Sequence, residues 1–166
     1  MNRNNSALIM LGVSHLCVLA ALGLTYDELP QRVASHFNAA GVPDGWMSRS
    51  SHLWTISALA FGGSALLLGV FYCVRFLPGA SINLPRREYW LAPERREETF
   101  QSLFRAGIWL ASFEALFVLG VHLLVVAANS SEPARLSSGV WLLGGFFLAI
   151  IAGWVFALIR RFNQVA

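Results

Sequence analysis

Two sets of polar residues in an otherwise apolar chain have the types and spacing to do chemistry. The first is His36 with Asp44, in a polar segment between two apolar stretches. Such a pair can bind a peptide by hydrogen bonds and charge. It can bind a metal together with Asp27, Glu28 or His52, or it can hold the fold of its own loop. A lone His-x7-Asp spacing lacks the i, i+4 or Cys-rich geometry that marks zinc. No recognised motif sets a Ser or Cys nucleophile beside the pair, so catalysis is not indicated. The second set is Glu114, His15 and His122, each inside an apolar stretch. A carboxylate at mid-membrane costs at least about 2.5–3.5 kcal/mol unless partnered or protonated. His15 falls at a depth where it can meet Glu114. His122 lies about 12 Å further along the same helix and about 80° round it, so it does not partner Glu114 directly. It is placed to reach under the loop instead. Glu114 and His15 read either as a proton- or ion-linked path opening outward, or as a hydrogen bond that fixes helix register.

The surrounding composition says what must position these groups. Of 166 residues, 56% are hydrophobic and 13% are charged. A soluble domain is about a quarter charged. The mean hydropathy is +0.57. These values exclude a soluble enzyme, a disordered tail and a nucleic-acid module. The net charge of +3 comes from twelve Arg and no Lys against nine acids. The arginines sit at the ends of apolar stretches, where they orient helices in a bilayer.

Four stretches approach the ~20 residues that a spanning helix needs. They are 7–25, 53–74, 104–128 and 138–159. Each must be helical, because lipid cannot satisfy free backbone groups. The first is longer than the ~7–15 apolar residues of a signal peptide and reads as a retained helix. Nine of the twelve arginines fall in the N-terminal tail, in the connection 75–103, at the start of the third span or in the C-terminal tail. The positive-inside rule then puts both termini in the cytoplasm. The expected fold is one all-α integral membrane domain over 1–166 with four transmembrane helices. An ordered outer loop, 26–52, joins the first two. Cys17 and Cys73 lie at different depths and are not expected to form a bridge.

The connections are more than linkers. Pro43-Asp44-Gly45 predicts a tight turn and Gly41 a second reversal. Phe37 and Trp46 are apolar enough to lie against helix ends or the membrane surface. In 75–103, Pro78-Gly79 ends the second helix. Tyr89 and Trp90 suit a headgroup boundary, as a lipid or partner surface or as a plain anchor. Pro93 with Glu94, Glu97 and Glu98 predicts a helix start that runs into the third span. Small residues recur every fourth position at Gly107, Ala111 and Ala115, and at Gly145, Ala149 and Gly153, which permits close helix approach.

Leu29-Pro30, then His36-Phe37-Asn38, then Gly41-x-Pro43-Asp44-Gly45-Trp46, between two membrane helices, resembles the N-terminal domain of SdpI-type bacterial membrane proteins. His36, Asn38, Gly41 and Asp44 match that pattern. The later Ile82-Asn83-Leu84-Pro85 and Tyr89-Trp90-Leu91 also resemble members that continue with two more helices. The resemblance implies a bacterial inner-membrane protein without enzymatic activity, linked to immunity or signalling. The reading taken from these residues is a loop that recognises a peptide or lipid through His36, Asn38, Gly41, Asp44 and Trp46. The alternative is a small ion- or proton-linked transporter or channel using Glu114 and His15. Membrane lipids are the expected partners, and four short spans are compatible with a homo-oligomer or a membrane partner. No metal set, cofactor or nucleic acid is indicated.

Overall fold

The computed structural model describes residues 3–164. The elements in order are α1 (Arg3–Leu24), β1 (Arg32–Phe37), β2 (Pro43–Ser48), α2 (Arg49–Ser57), α3 (Gly63–Cys73), α4 (Arg87–Trp90), α5 (Arg96–Asn129) and α6 (Gly139–Asn163). A π-helical turn, Ala58–Gly62, joins α2 to α3. The two therefore run on as one apolar span, Arg49–Phe76. This span, α1, α5 and α6 are each long and apolar enough to cross a membrane. The chain is a multi-pass helical membrane protein.

Helix α5 is the central post. Gly107, Ile108, Ala111, Ser112, Ala115, Val118, His122, Val125 and Val126 are all buried along it. Its small residues let the neighbours in. A Cβ on Gly107 would sit 2.6 Å from the Phe71 ring of α3. Ala111 and Ala115 are fully buried. Ser14 and Ser112 are buried too, and each hydroxyl bonds a carbonyl of its own helix. A buried serine thus allows close approach without leaving a polar group unpaired in lipid. The stripe expected on the fourth span does not do this. Gly145, Ala149 and Gly153 are exposed on α6, and apart from the local backbone of α6 itself nothing lies within 4 Å of where a Cβ would stand on either glycine. Helix α6 packs on α5 instead through Leu143 against Gly120 and Phe147 stacked on Phe117.

The π-helical turn has a packing cause. His52, Ile56, Ala60 and Ser64 are the buried residues of the second span. A step of four residues rotates an α-helix face by about 40°. The wider turn at Ala58–Gly62 absorbs part of that rotation, so the stripe keeps facing α5.

The first connection is a β-hairpin. Strands β1 and β2 pair antiparallel, with Arg32 opposite Ser48, Val33 opposite Met47, Ala34 opposite Trp46 and Phe37 opposite Pro43. The expected tight turn at Pro43-Asp44-Gly45 is therefore strand. Gly45 serves close cross-strand approach, since a Cβ there would lie 2.9 Å from the Cβ of His36. The reversal falls at Asn38–Gly41. Asn38 Oδ1 accepts from the N–H groups of Ala40 and Val42, both at 3.0 Å, and Gly41 takes φ +75. Gly41 also accepts from the Leu136 N–H at 2.9 Å, which ties the hairpin to the connection before α6. A Cβ on Gly41 would sit 2.4 Å from Leu136 O. Gly41→Ala is expected to lower stability by at least about 1–2 kcal/mol from the backbone alone. Thermal unfolding in detergent measures it, and an unchanged midpoint would contradict this close approach.

The opposite end closes differently. Trp90 donates to Phe162 O at 2.7 Å and packs edge-on against its ring. Thr99 Oγ1 donates to Trp90 O at 2.8 Å. Trp90 therefore holds the end of α6 to the 77–95 connection and is not a free headgroup anchor. Helix α5 begins at Arg96, three residues after Pro93, with Glu97 and Glu98 in its first turn. Cys17 and Cys73 are free and exposed.

Candidate functional site

The polar residues singled out by sequence fall at three levels along the bundle. The outermost is the hairpin. His36 Nδ1 lies 2.5 Å from Asp44 Oδ1, with side chains 76% and 46% exposed. The outer strand register would put Asp44 opposite His36. The ladder is irregular there, and Gly45 pairs with His36 instead. Irregular pairing of this kind re-aims side chains. Beside the pair, the Arg32 guanidinium covers the half-exposed Trp46 ring at 5.2 Å. Asn38 and Gly41 are engaged in the turn itself.

The hairpin is braced on α5. Val33 and Leu29 pack on Val125 and Val126, with Phe37 against the cluster. Asn129, in the last turn of α5, reads both backbone groups of Ala34. Its Oδ1 accepts from Ala34 N–H at 2.8 Å, and its Nδ2 donates to Ala34 O at 2.9 Å and to Val125 O at 2.9 Å. The side-chain amide acts as a one-residue strand on the edge of β1, where unpaired backbone groups would otherwise be stranded. Sequence reasoning missed Asn129. Its signal was a lone amide bounded by Val125, Val126 and Ala128 at the end of an apolar stretch.

The second level lies just beneath. His122 is fully buried. Its Nε2 is 2.9 Å from Thr25 Oγ1, and its Nδ1 is 3.1 Å from His52 Nε2. The proton positions follow from counting donors. Thr25 has one hydroxyl proton and donates it to Ala21 O at 2.7 Å. Thr25 must then accept from His122 Nε2–H. His122 Nδ1 is left as an acceptor, so His52 Nε2–H donates to it. One directed chain, His52 to His122 to Thr25 to Ala21 O, joins α2, α5 and the segment after α1. His122 does lie under the loop, but its partners were not foreseen. His52, considered as a ligand beside His36 and Asp44, is turned inward to His122. Asp27 is almost fully exposed, 3.9 Å from Arg49. Among the described residues, no three His, Cys, Asp or Glu side chains converge to hold an ion.

The third level is Glu114. Its Oε2 accepts from Ser64 Oγ at 3.1 Å, and Gly63 leaves room for the carboxylate, whose Oε1 lies 2.6 Å from where a Cβ would stand. Glu114 makes this bond to Ser64 rather than one to His15. His15 Nδ1 donates to Leu11 O of its own helix at 2.9 Å, and its ring packs on Phe61. His15 and Ser64 line one open cleft of about 410 Å³ between α1 and the second span. An apolar layer of Val18, Leu22, Ile56, Ala60 and Val118 lies between Glu114 and the histidine chain.

The segment that carries the hairpin is also the one that is similar to a known family. Residues 15–61 match the family described as a domain of unknown function, DUF1648. The DUF1648 match covers less than a third of the 166 residues. It runs from His15 through the hairpin and His52 to the π-helical turn. The stretch Ile82–Leu91, part of the resemblance drawn from sequence, lies outside the DUF1648 segment. So do Glu114, His122 and Asn129. Ala34 to Asn129, and Thr25 and His52 to His122, therefore reach out of the segment to α5, while Gly41 to Leu136 reaches the connection before α6. No curated protein and no solved structure matches the chain.

Proposed function

We propose that this is a non-enzymatic, SdpI-like protein of the bacterial inner membrane. Both termini are cytoplasmic, and the hairpin recognises a peptide or lipid ligand outside, in immunity or signalling. The observation that carries the reading is an exposed His36–Asp44 pair on a hairpin that the bundle holds in place. Exposed ion pairs contribute only about 0–1 kcal/mol to stability. Holding the loop together is thus a weak explanation for the pair, since Asn129 and the turn residues do that work. Trp and Arg are enriched in binding hot spots, and Trp46 lies under Arg32 on the same hairpin. Asn38 and Gly41 act in this reading by shaping the turn that presents His36, Asp44 and Trp46.

The test is native mass spectrometry of the chain gently released from its own membrane. The expected result is a retained ligand mass, lost in His36→Ala and Asp44→Ala, while both variants unfold within about 1 kcal/mol of wild type. Retention unchanged in both variants would overturn the reading.

A second reading is supported by one specific arrangement. Glu114 meets Ser64 beside a π-helical turn, and such turns occur often at functional sites. A small ion- or proton-linked transporter would use Glu114 with His15. The apolar layer between Glu114 and His122 weighs against a continuous polar path. Glu114→Gln keeps an acceptor for Ser64 and removes the ionisable group. The recognition reading expects unchanged ligand retention and folding. Proton or ion flux into vesicles, present in wild type and abolished in Glu114→Gln, would favour the transporter.

A further inference from the structure

The Arg-rich end of the bundle holds an arrangement that the recognition reading does not use. Arg105 and Arg161 line one cleft of about 210 Å³ between α5 and α6. Each is half-buried, and each has a buried Nε with no hydrogen-bond partner. Neither guanidinium has a carboxylate within ion-pair distance among the described residues. Glu97, in the first turn of α5, is engaged by Arg75 and Gln101. Arg161 has only the Phe162 ring, at 5.9 Å, under its guanidinium. Two like charges in one cleft repel, and a buried unpaired donor is costly. An anion between them would relieve the repulsion.

The walls say what kind of anion. Ser102, Arg105 and Trp109 recur at helical spacing on α5, and Trp154, Leu158 and Arg161 do so on α6. The antiparallel helices put both arginines toward one end and both tryptophans toward the membrane interior. Trp154 is fixed there by its Nε1–H bond to Ala106 O at 3.1 Å. A site that is cationic at its mouth and apolar beyond it fits a molecule with a phosphate at one end and hydrocarbon at the other. Basic pockets between spanning helices bind anionic headgroups in this way. We propose that Arg105 and Arg161 hold the phosphate of an anionic phospholipid, whose first acyl carbons lie along Trp109, Trp154 and Leu158. The two guanidinium groups lining the cleft are the donors offered to the phosphate oxygens.

The test is native mass spectrometry of the full chain in detergent. It is titrated with phosphatidylglycerol, with phosphatidylcholine of the same acyl chains, or with inorganic phosphate. The expected result is phosphatidylglycerol retained about tenfold more strongly than phosphatidylcholine. Arg105→Gln with Arg161→Gln should bring that ratio close to one. Arg160→Gln, which removes an exposed neighbour of the same charge, should leave it unchanged. Arg161→Gln alone, near the end of α6, should lose about threefold and serves if the double variant does not fold. Equal retention of the two lipids by wild type would overturn the proposal. So would a ratio that falls equally in Arg160→Gln, which marks a diffuse surface charge. Inorganic phosphate retained through the two arginines without any lipid preference would overturn it in favour of a soluble anion.

Discussion

Asn129→Leu is expected to release the hairpin while the bundle stays folded. Ala34 is 1% exposed, so its N–H and C=O have no water to turn to when the amide is removed. Each stranded buried group costs about 1–3 kcal/mol. Leucine restores some apolar contact and no hydrogen bond. The net expectation is that hairpin opening becomes easier by about 2–4 kcal/mol. Cleavage of an opened segment follows the population of the open form. Trypsin should therefore cut after Arg32 about a hundredfold faster in Asn129→Leu than in wild type. Asn129→Asp keeps an acceptor for Ala34 N–H but sets a carboxylate against Ala34 O and Val125 O. It is expected to open the hairpin as well. Wild-type rates of cleavage in Asn129→Leu would mean that the brace carries no weight.

His122→Leu is expected to destabilise the whole bundle. It removes the middle of the chain from His52 to Thr25 and leaves a buried imidazole N–H without an acceptor. Interhelical hydrogen bonds in membranes average about 0.6 kcal/mol and reach about 1.7, but a stranded buried donor costs more than the bond it lost. A loss of about 2–3 kcal/mol is expected for the single variant. His52→Leu with His122→Leu takes away the stranded donor along with its acceptor. It should recover part of the loss, so the two substitutions should be non-additive. Thermal unfolding of the two single variants and the double variant measures the coupling. Additive effects would contradict the directed chain.

These two residues also mark how far the sequence could be read. The spanning stretches were legible because hydropathy depends on composition alone. Glu114 and His122 stood out because an ionisable side chain in an apolar run is rare. Their partners were not legible. Ser64 and Thr25 look like ordinary small polar residues in helices, and His52 looked like a loop residue. What pairs them is the rotation of each helix, and the π-helical turn that sets one rotation carries no clear sequence mark beyond Gly62-Gly63. The hairpin was read as turns because Pro43-Asp44-Gly45 has turn chemistry. Cross-strand crowding at His36 gives Gly45 another reason to be glycine. Asn129 was missed because its partner, Ala34, is 95 residues away. A backbone group leaves no trace in the residue type that carries it.

The central claim is that the hairpin is a preformed surface, held rigid before any ligand arrives. Amide hydrogen exchange over 32–48, in the wild-type chain without ligand, tests it most directly. The Val33 and Ala34 amides should exchange nearly as slowly as those of the half of α5 next to the hairpin. Exchange across 32–48 at the rate of an open loop, with α5 still protected, would contradict it.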